Sequence, residues 1–488
     1  MTSQSNATPS ASLDPRTAPT FPIAARAAMK DEQLRNNVHH ATDVIQAKRA
    51  RVVSEMPDWQ QLREAGKQIR QHTMQYLDVY LQQFETNCTR AGGVVHWAKD
   101  AAEARDLVLH LLKAAGSNEV IKIKSMTTEE IALNPALEEQ GIHPYETDLA
   151  ELIIQLGHDR PSHIVVPALH KNRQQIREIF QREMHLADLG DRPEDLADAA
   201  RLFLREKFLR VPTGISGANF LIAETGGVCI VESEGNGRMC LTLPDTLIAI
   251  AGIDKILPRF QDLEVMLQLL PRSATGERMN PYNSIWTGIH PGDGPKNFHV
   301  ILMDNARTEI LADSESRQTL NCIRCAACQN ACPVYRQTGG HAYGSVYAGP
   351  IGAILTPQLQ QMHHAQSLPY ASSLCGACYE VCPVKINIPE VLIHLRNKVV
   401  EQNTAGLAGA FDMEALAMKT MAAIFQDEHR FRAAQRLGRM AETLLPSTNG
   451  WITWLPGILG GWTQARDLER MPKQTFRDWW EKRETNDR

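Results

Sequence analysis

Seven of the ten cysteines in this 488-residue chain fall between positions 322 and 382, and that crowding constrains the fold more than any other feature. Three are spaced Cys322-x2-Cys325-x2-Cys328, followed after three residues by Cys332 and then Pro333. This is the spacing of bacterial ferredoxins, in which three thiolates hold one [4Fe–4S] cubane and the fourth cysteine reaches a second. A later array, Cys375-x2-Cys378-x3-Cys382-Pro383, repeats the pattern with Ser372 where its first cysteine would stand. The crossover rule assigns Cys322, Cys325, Cys328 and Cys382 to a first cluster, and Cys332, Cys375 and Cys378 to a second. Three outcomes fit the missing thiolate: a [4Fe–4S] cluster completed by Ser372 or another oxygen, one with an open iron, or a [3Fe–4S] cluster. Because an oxygen donor stands at that position, four irons are expected. Zinc also uses spaced cysteine pairs, but seven cysteines with a triple C-x2-C-x2-C spacing argue for iron–sulfur clusters. The prolines after Cys332 and Cys382 fix φ and withdraw an N–H, so the chain turns away from each cluster. Cysteines so crowded point to metal rather than disulfides, and free thiolates imply a reducing, cytoplasmic setting.

Upstream, the pattern is that of an α/β fold. The first 20 residues alternate Ser, Thr, Ala and Pro without an apolar core, so residues 1–30 read as a disordered leader and not a secretory signal. Apolar residues at helical spacing from Trp59 to Phe84 predict one or two amphipathic helices. From about residue 93, strands over 93–97, 120–123 and 163–166 alternate with helices through Leu107 to Leu112, 149–156 and 172–186. Thr127 with Glu130 suggests a capping box at another helix start. Beyond Thr213, glycine-containing turns separate strands expected over 219–223, 228–231, 238–243 and 246–250, before a helix over 257–270 and a strand over 298–303. The organisation expected is an α/β domain over 31–308, an α-helical ferredoxin-type domain over 309–400, and a helical, Trp-rich region over 401–488. Five of the eight tryptophans, Trp451, Trp454, Trp462, Trp479 and Trp480, lie in that last region. They are expected to staple a small subdomain, the other reading being a partner surface.

Other features narrow the function. With 51 Lys and Arg against 56 Asp and Glu, the net charge of −5 gives no global argument for nucleic acid or anionic lipid. No apolar run approaches the roughly 18 residues of a spanning helix, which leaves peripheral membrane contact open. Neither a Gly-x-Gly-x-x-Gly fingerprint nor a P-loop is present. Cys88, Cys229 and Cys240 read as small buried hydrophobes. Glu224 and Glu232 read as charged strand-end residues and not as nucleophiles, so no catalytic residue is assigned. The 213–219 loop and the Gly235-Asn236-Gly237-Arg238 turn are candidate anion cradles, set against plain turns that need glycine.

Two further segments, Gly339-Gly340-His341-Ala342-Tyr343-Gly344-Ser345-Val346-Tyr347 and Thr213-Gly214-Ile215-Ser216-Gly217-Ala218-Asn219-Phe220, join the cysteine motifs in carrying a family resemblance. Over most of its length the chain resembles the lactate utilization protein B family, the iron–sulfur subunits of bacterial L-lactate oxidation complexes. The resemblance implies a LUD domain, similar to the CoA-transferase and ribose-5-phosphate isomerase α/β fold, followed by an α-helical ferredoxin domain with two [4Fe–4S] clusters. The family carries seven cysteines in this arrangement, so Ser372 is not a departure from it. It further implies partners: a cysteine-rich, heterodisulfide-reductase-like subunit and a second LUD-domain subunit. The expected role is a non-catalytic electron-transfer subunit, the electron acceptor being unspecified. The alternatives are a self-contained iron–sulfur oxidoreductase with substrate on the LUD domain, and an iron–sulfur sensor or scaffold.

Overall fold

The computed structural model describes residues 14–405, 413–463 and 466–486. It divides into two units, Met1–Val399 and Val400–Arg488. Strands of the first unit are Val94–Ala98 (β1), Glu119–Lys122 (β2), His143–Glu146 (β3), Thr213–Ser216 (β4), Phe220–Ile222 (β5), Gly227–Glu232 (β6), Thr246–Gly252 (β7), Ile256–Leu257 (β8), Tyr282–Trp286 (β9) and Asn297–Met303 (β10). Six form a wholly parallel sheet of order β1-β10-β7-β4-β2-β3. β7, Thr-Leu-Ile-Ala-Ile-Ala-Gly, is buried at every position, as a central strand covered on both faces must be. The glycine-rich stretch supplies a second, mixed sheet of order β8-β5-β6-β9.

Several local expectations change. Residues 238–243 are not a strand: Asn236–Thr242 is a short helix. Its Gly237 and Arg238 amides donate to the Glu232 carboxylate at 2.6 and 2.7 Å, a cap supplied from the end of β6 that decides the conformation of a short apolar run. Residues 163–166 form a partly buried, irregular turn. There the Val165 and Val166 amides donate to His163 Nδ1 at 3.1 and 2.9 Å, replacing the ladder bonds of a strand. The capping serine is Ser125, which accepts from the Thr128 amide. Glu130 instead receives both terminal nitrogens of Arg307 at 2.9 Å. The helix expected over 257–270 starts only at Asp262 and runs to Ala274, because Ile256–Leu257 belongs to β8. The leader does not extend to residue 30: Phe21–Ala28 is helical. Its Phe21 ring packs on Tyr343 with centroids 4.9 Å apart, while residues 1–13 lie outside the described residues.

Helices Glu32–Ser54 and Trp59–Gln75 precede the sheet. One continuous apolar core runs from Phe84 and Phe220 of the α/β part to Tyr335, Ile354 and Leu392 of the helical part. The α/β domain and the cysteine-bearing segments are therefore packed as a single body. The second unit holds helices Met413–Phe425 and Glu428–Glu442, three two-residue strands between Ser447 and Glu469, and helix Phe476–Asn486. Its tryptophans do not staple a core: Trp451, Trp454, Trp462, Trp479 and Trp480 are 45–55% exposed.

Candidate iron–sulfur site

The two cysteine motifs are one backbone design used twice. Arg324 and Leu374, each the residue before its motif's next cysteine, are left-handed at φ 60° and 55°. Ala326 and Gly376 are left-handed too, and each opens a short helix, Ala327–Ala331 or Ala377–Val381. The Cys332 amide donates to Gln329 O at 3.2 Å, and the Cys382 amide to Tyr379 O at 3.2 Å. In the first motif the Arg324 amide donates to Cys322 Sγ at 3.4 Å. In the second the Leu374 amide donates to Ser372 Oγ at 3.1 Å. The serine oxygen thus occupies the place, and makes the backbone contact, of the first cysteine sulfur.

Folding brings the thiols together across the two motifs. Cys322, Cys325, Cys328 and Cys382 line one small cavity walled by Ile351, Val384, Ile386 and Ile388. Cys332, Cys375 and Cys378 lie close enough to repel one another as thiolates, and Cys328 stands in the same relation to Cys378. Cys375 alone of the seven is exposed. Among the described residues no three cysteine sulfurs fall within 4.8 Å of one another. Burial pushes the Cys382 thiol up to about 11 and Cys378 up to about 12, and raises Cys325, Cys328 and Cys332. Thiolates in this setting require a cation to meet their charge.

The protein surrounds the first group of thiols with donors and positive charge. The Ile386 amide donates to Cys382 Sγ at 3.3 Å. From the N-terminal helices, Arg49 donates to Val381 O at 3.0 Å, and Arg63 donates to Cys382 O and Tyr379 O at 2.9 and 3.1 Å. Arg70, fully buried, donates to Ile256 O and Leu320 O at 2.9 and 2.8 Å. Arg324 reaches Cys322 O at 3.2 Å and Asp254 Oδ2 at 3.2 Å. Beside the second group, the Tyr343 hydroxyl is buried and directed at the Cys332 thiol. A donor so placed is one that cluster sulfur would accept.

Of the remaining candidates, Cys88, Cys229 and Cys240 are buried in the core; burial pushes the first two thiols up to about 11 and 12 and also raises the third. Glu224 is exposed and accepts from the Phe260 amide at 2.7 Å, whereas the Glu232 carboxylate is taken up in capping its helix. The Gly235–Arg238 turn is no empty anion cradle, because the Glu232 carboxylate already fills it. Gly217, Ala218, Asn219 and Asn236 do line a cleft of about 400 Å³, together with Lys255 and Arg324. Asp159, His170 and His341 bring three donor atoms within 4.8 Å, but the Lys171 ammonium pairs with the same Asp159 oxygen and meets its charge. The residues that sequence reasoning missed are Arg49, Arg63, Arg70, Asp254 and Lys255. None sits near a cysteine in sequence, and a basic residue on an amphipathic helix carries no mark of its target.

The chain matches the LUD domain family over residues 81–303, the 4Fe-4S dicluster domain over 318–386, and the family described as "Lactate utilisation protein B, C-terminal" over 394–485. It is 42% identical over 466 residues to lactate utilization protein B of Bacillus licheniformis, covering 93% of this chain and 95% of that protein. The Bacillus subtilis protein of the same name is 42% identical over 462 residues, covering 94% and 95%. That of Oceanobacillus iheyensis is 43% identical over 454 residues, covering 92% and 93%. With relatives this similar along nearly the whole length, and with the motifs folded as described, the chain belongs to the lactate utilization protein B family.

Proposed function

We propose that this chain is the iron–sulfur electron-transfer subunit of a complex that oxidises L-lactate to pyruvate. Cys322, Cys325, Cys328 and Cys382 would hold the first [4Fe–4S] cluster. Cys332, Cys375 and Cys378, with Ser372 Oγ as fourth donor, would hold the second. Bound there, the clusters supply one-electron transfer. The single observation that carries this reading is the interleaving of the motifs: Cys382 of the second motif shares a cavity with three cysteines of the first. Ligand sets exchanged in this way keep two redox centres adjacent, which stepwise transfer needs and a structural role does not.

The surrounding residues have separate tasks. Arg49, Arg63 and Arg70 fix the backbone that carries the thiols and offset their negative charge, and a buried apolar wall keeps water from the first centre. Cys88, Cys229 and Cys240 are buried and Glu232 is engaged as a helix cap, which supports a division of labour with partner subunits. The partners are a cysteine-rich, heterodisulfide-reductase-like subunit and a second LUD-domain subunit. No helix of the described residues is long and apolar enough to cross a membrane, and the buried free thiols suit a cytoplasmic location. The reading is tested by mixing the anaerobically purified chain with both partner subunits and L-lactate. Lactate-dependent bleaching of the cluster absorbance is expected only in the complete mixture. Bleaching by the chain alone, or none in the complete mixture, contradicts it.

A further inference from the structure

Two polar groups in the cleft between the LUD domain and the first cysteine motif lack a close partner among the described residues. Lys255 is 9% exposed and lines the cleft. Its neighbour Asp254 is already taken by Arg307 and Arg324, and among the described residues no carboxylate lies within ion-pair distance of the Lys255 ammonium. Asn236, 7% exposed, lines the same cleft. Its Nδ2 donates to Thr147 Oγ1 and Asp148 Oδ2, both at 3.2 Å, which fixes the amide so that Oδ1 is the buried atom without a donor. An ammonium without a close counter-ion calls for an anion, and an acceptor-only carbonyl calls for a hydroxyl or amine donor. The lining also includes Asp148, Glu232, Glu234 and Glu277 against Lys124, an excess of carboxylates that would disfavour a dianion such as phosphate over a monoanion.

We propose that this cleft binds a hydroxylated carboxylate, with Lys255 and Arg324 recognising the carboxylate and Asn236 Oδ1 accepting from the hydroxyl, and that its occupancy is linked to the redox state of the first cluster. The linkage rests on the reading that Cys322 ligates that cluster. Arg324 is the physical connection: its side chain lines the cleft, while its own amide donates to Cys322 Sγ. An electron added beside Arg324 spends part of the positive potential that holds the anion, so the oxidised chain binds more tightly. Reciprocally, the bound anion makes the first cluster harder to reduce.

The test is calorimetric titration of the full, cluster-loaded chain, its iron content verified, with L-lactate as probe. Lactamide lacks the charge and propionate lacks the hydroxyl. L-lactate is expected to bind the oxidised chain, and both analogues at least about tenfold more weakly. Dithionite reduction is expected to weaken lactate binding several-fold. Lys255→Met should lose at least about tenfold in affinity with iron content unchanged, and Lys255→Arg should keep most of it. The proposal is overturned if the cluster-loaded chain does not bind L-lactate, if lactamide or propionate binds as tightly, or if affinity is the same in both redox states. These outcomes leave the electron-transfer reading standing, whereas a chain isolated without iron removes that reading itself. Should Lys255→Met fail to fold, the analogue series on the unaltered chain decides.

Discussion

Arg324 Nη2 lies 3.2 Å from Asp254 Oδ2, so the residue between the first two cysteines is tied to the α/β domain. The same carboxylate receives Arg307 Nε at 2.6 Å, and Arg307 in turn holds Glu130, which accepts the Tyr347 hydroxyl at 2.7 Å. This buried network locks the glycine-rich spacer and the first motif onto the LUD sheet. Replacing Asp254 by Asn would leave two guanidinium groups buried and undercompensated. The expected loss is about 3–5 kcal/mol, read from urea unfolding of the cluster-loaded chain. A loss below about 1 kcal/mol would mean that the network does not hold the domains together.

Acid should attack the same network. Arg307 and Arg324 hold the Asp254 carboxyl well below the usual carboxylate range, and Arg307 lowers Glu130. A depressed folded-state pKa contributes stability that is present above the unfolded value, about 4, and lost as pH falls through the folded value. The melting temperature is therefore expected to hold above about pH 5 and to fall steeply below about pH 4. Thermal unfolding of the Asp254→Asn and Glu130→Gln variants across this range provides the check, since both should lose part of the acid slope. Slopes identical to the unaltered chain's would place the acid sensitivity elsewhere.

Ser372 offers a sharper test, because its oxygen repeats the backbone contact of Cys322 Sγ. Ser372→Cys is expected to keep about eight irons per chain while changing the EPR signature of the second cluster alone. Ser372→Ala should fall to about seven irons, as the fourth donor is lost. Iron unchanged and identical spectra in both variants would show that the serine only shapes its turn.

The second cluster should also report on Tyr343, whose buried hydroxyl stands beside Cys332. Donors aimed at cluster sulfur stabilise the reduced, more negative form, so Tyr343→Phe is expected to lower the second cluster's reduction potential and leave the first unchanged. Redox titration followed by EPR resolves the two. An unmoved potential would mean that the hydroxyl does not address the cluster.

Much of this was legible in advance where local chemistry decides structure. The cysteine spacing, the helix over Leu149–Leu156 and the strand ending at Met303 follow from patterns contained within a few residues. What escaped depends on long-range partners. Arg63 donates to a carbonyl 319 positions away, and no local pattern marks that target. The run 238–243 has the apolar content of a strand, yet the Glu232 cap turns it into a helix. His163 likewise takes the amides that a strand would pair, and its Nε2 meets Asn330 Oδ1 of the cysteine-bearing segment at 2.9 Å. In each case tertiary context overrode a short and ambiguous run.

The most direct test of the central claim is iron and acid-labile sulfide analysis of the anaerobically purified chain, joined to EPR of the dithionite-reduced protein. Two adjacent clusters predict about eight irons and eight sulfides per chain, with spectra broadened by magnetic coupling between neighbouring paramagnets. Protein that carries zinc or no metal, or that gives only isolated, uncoupled signals, would contradict it.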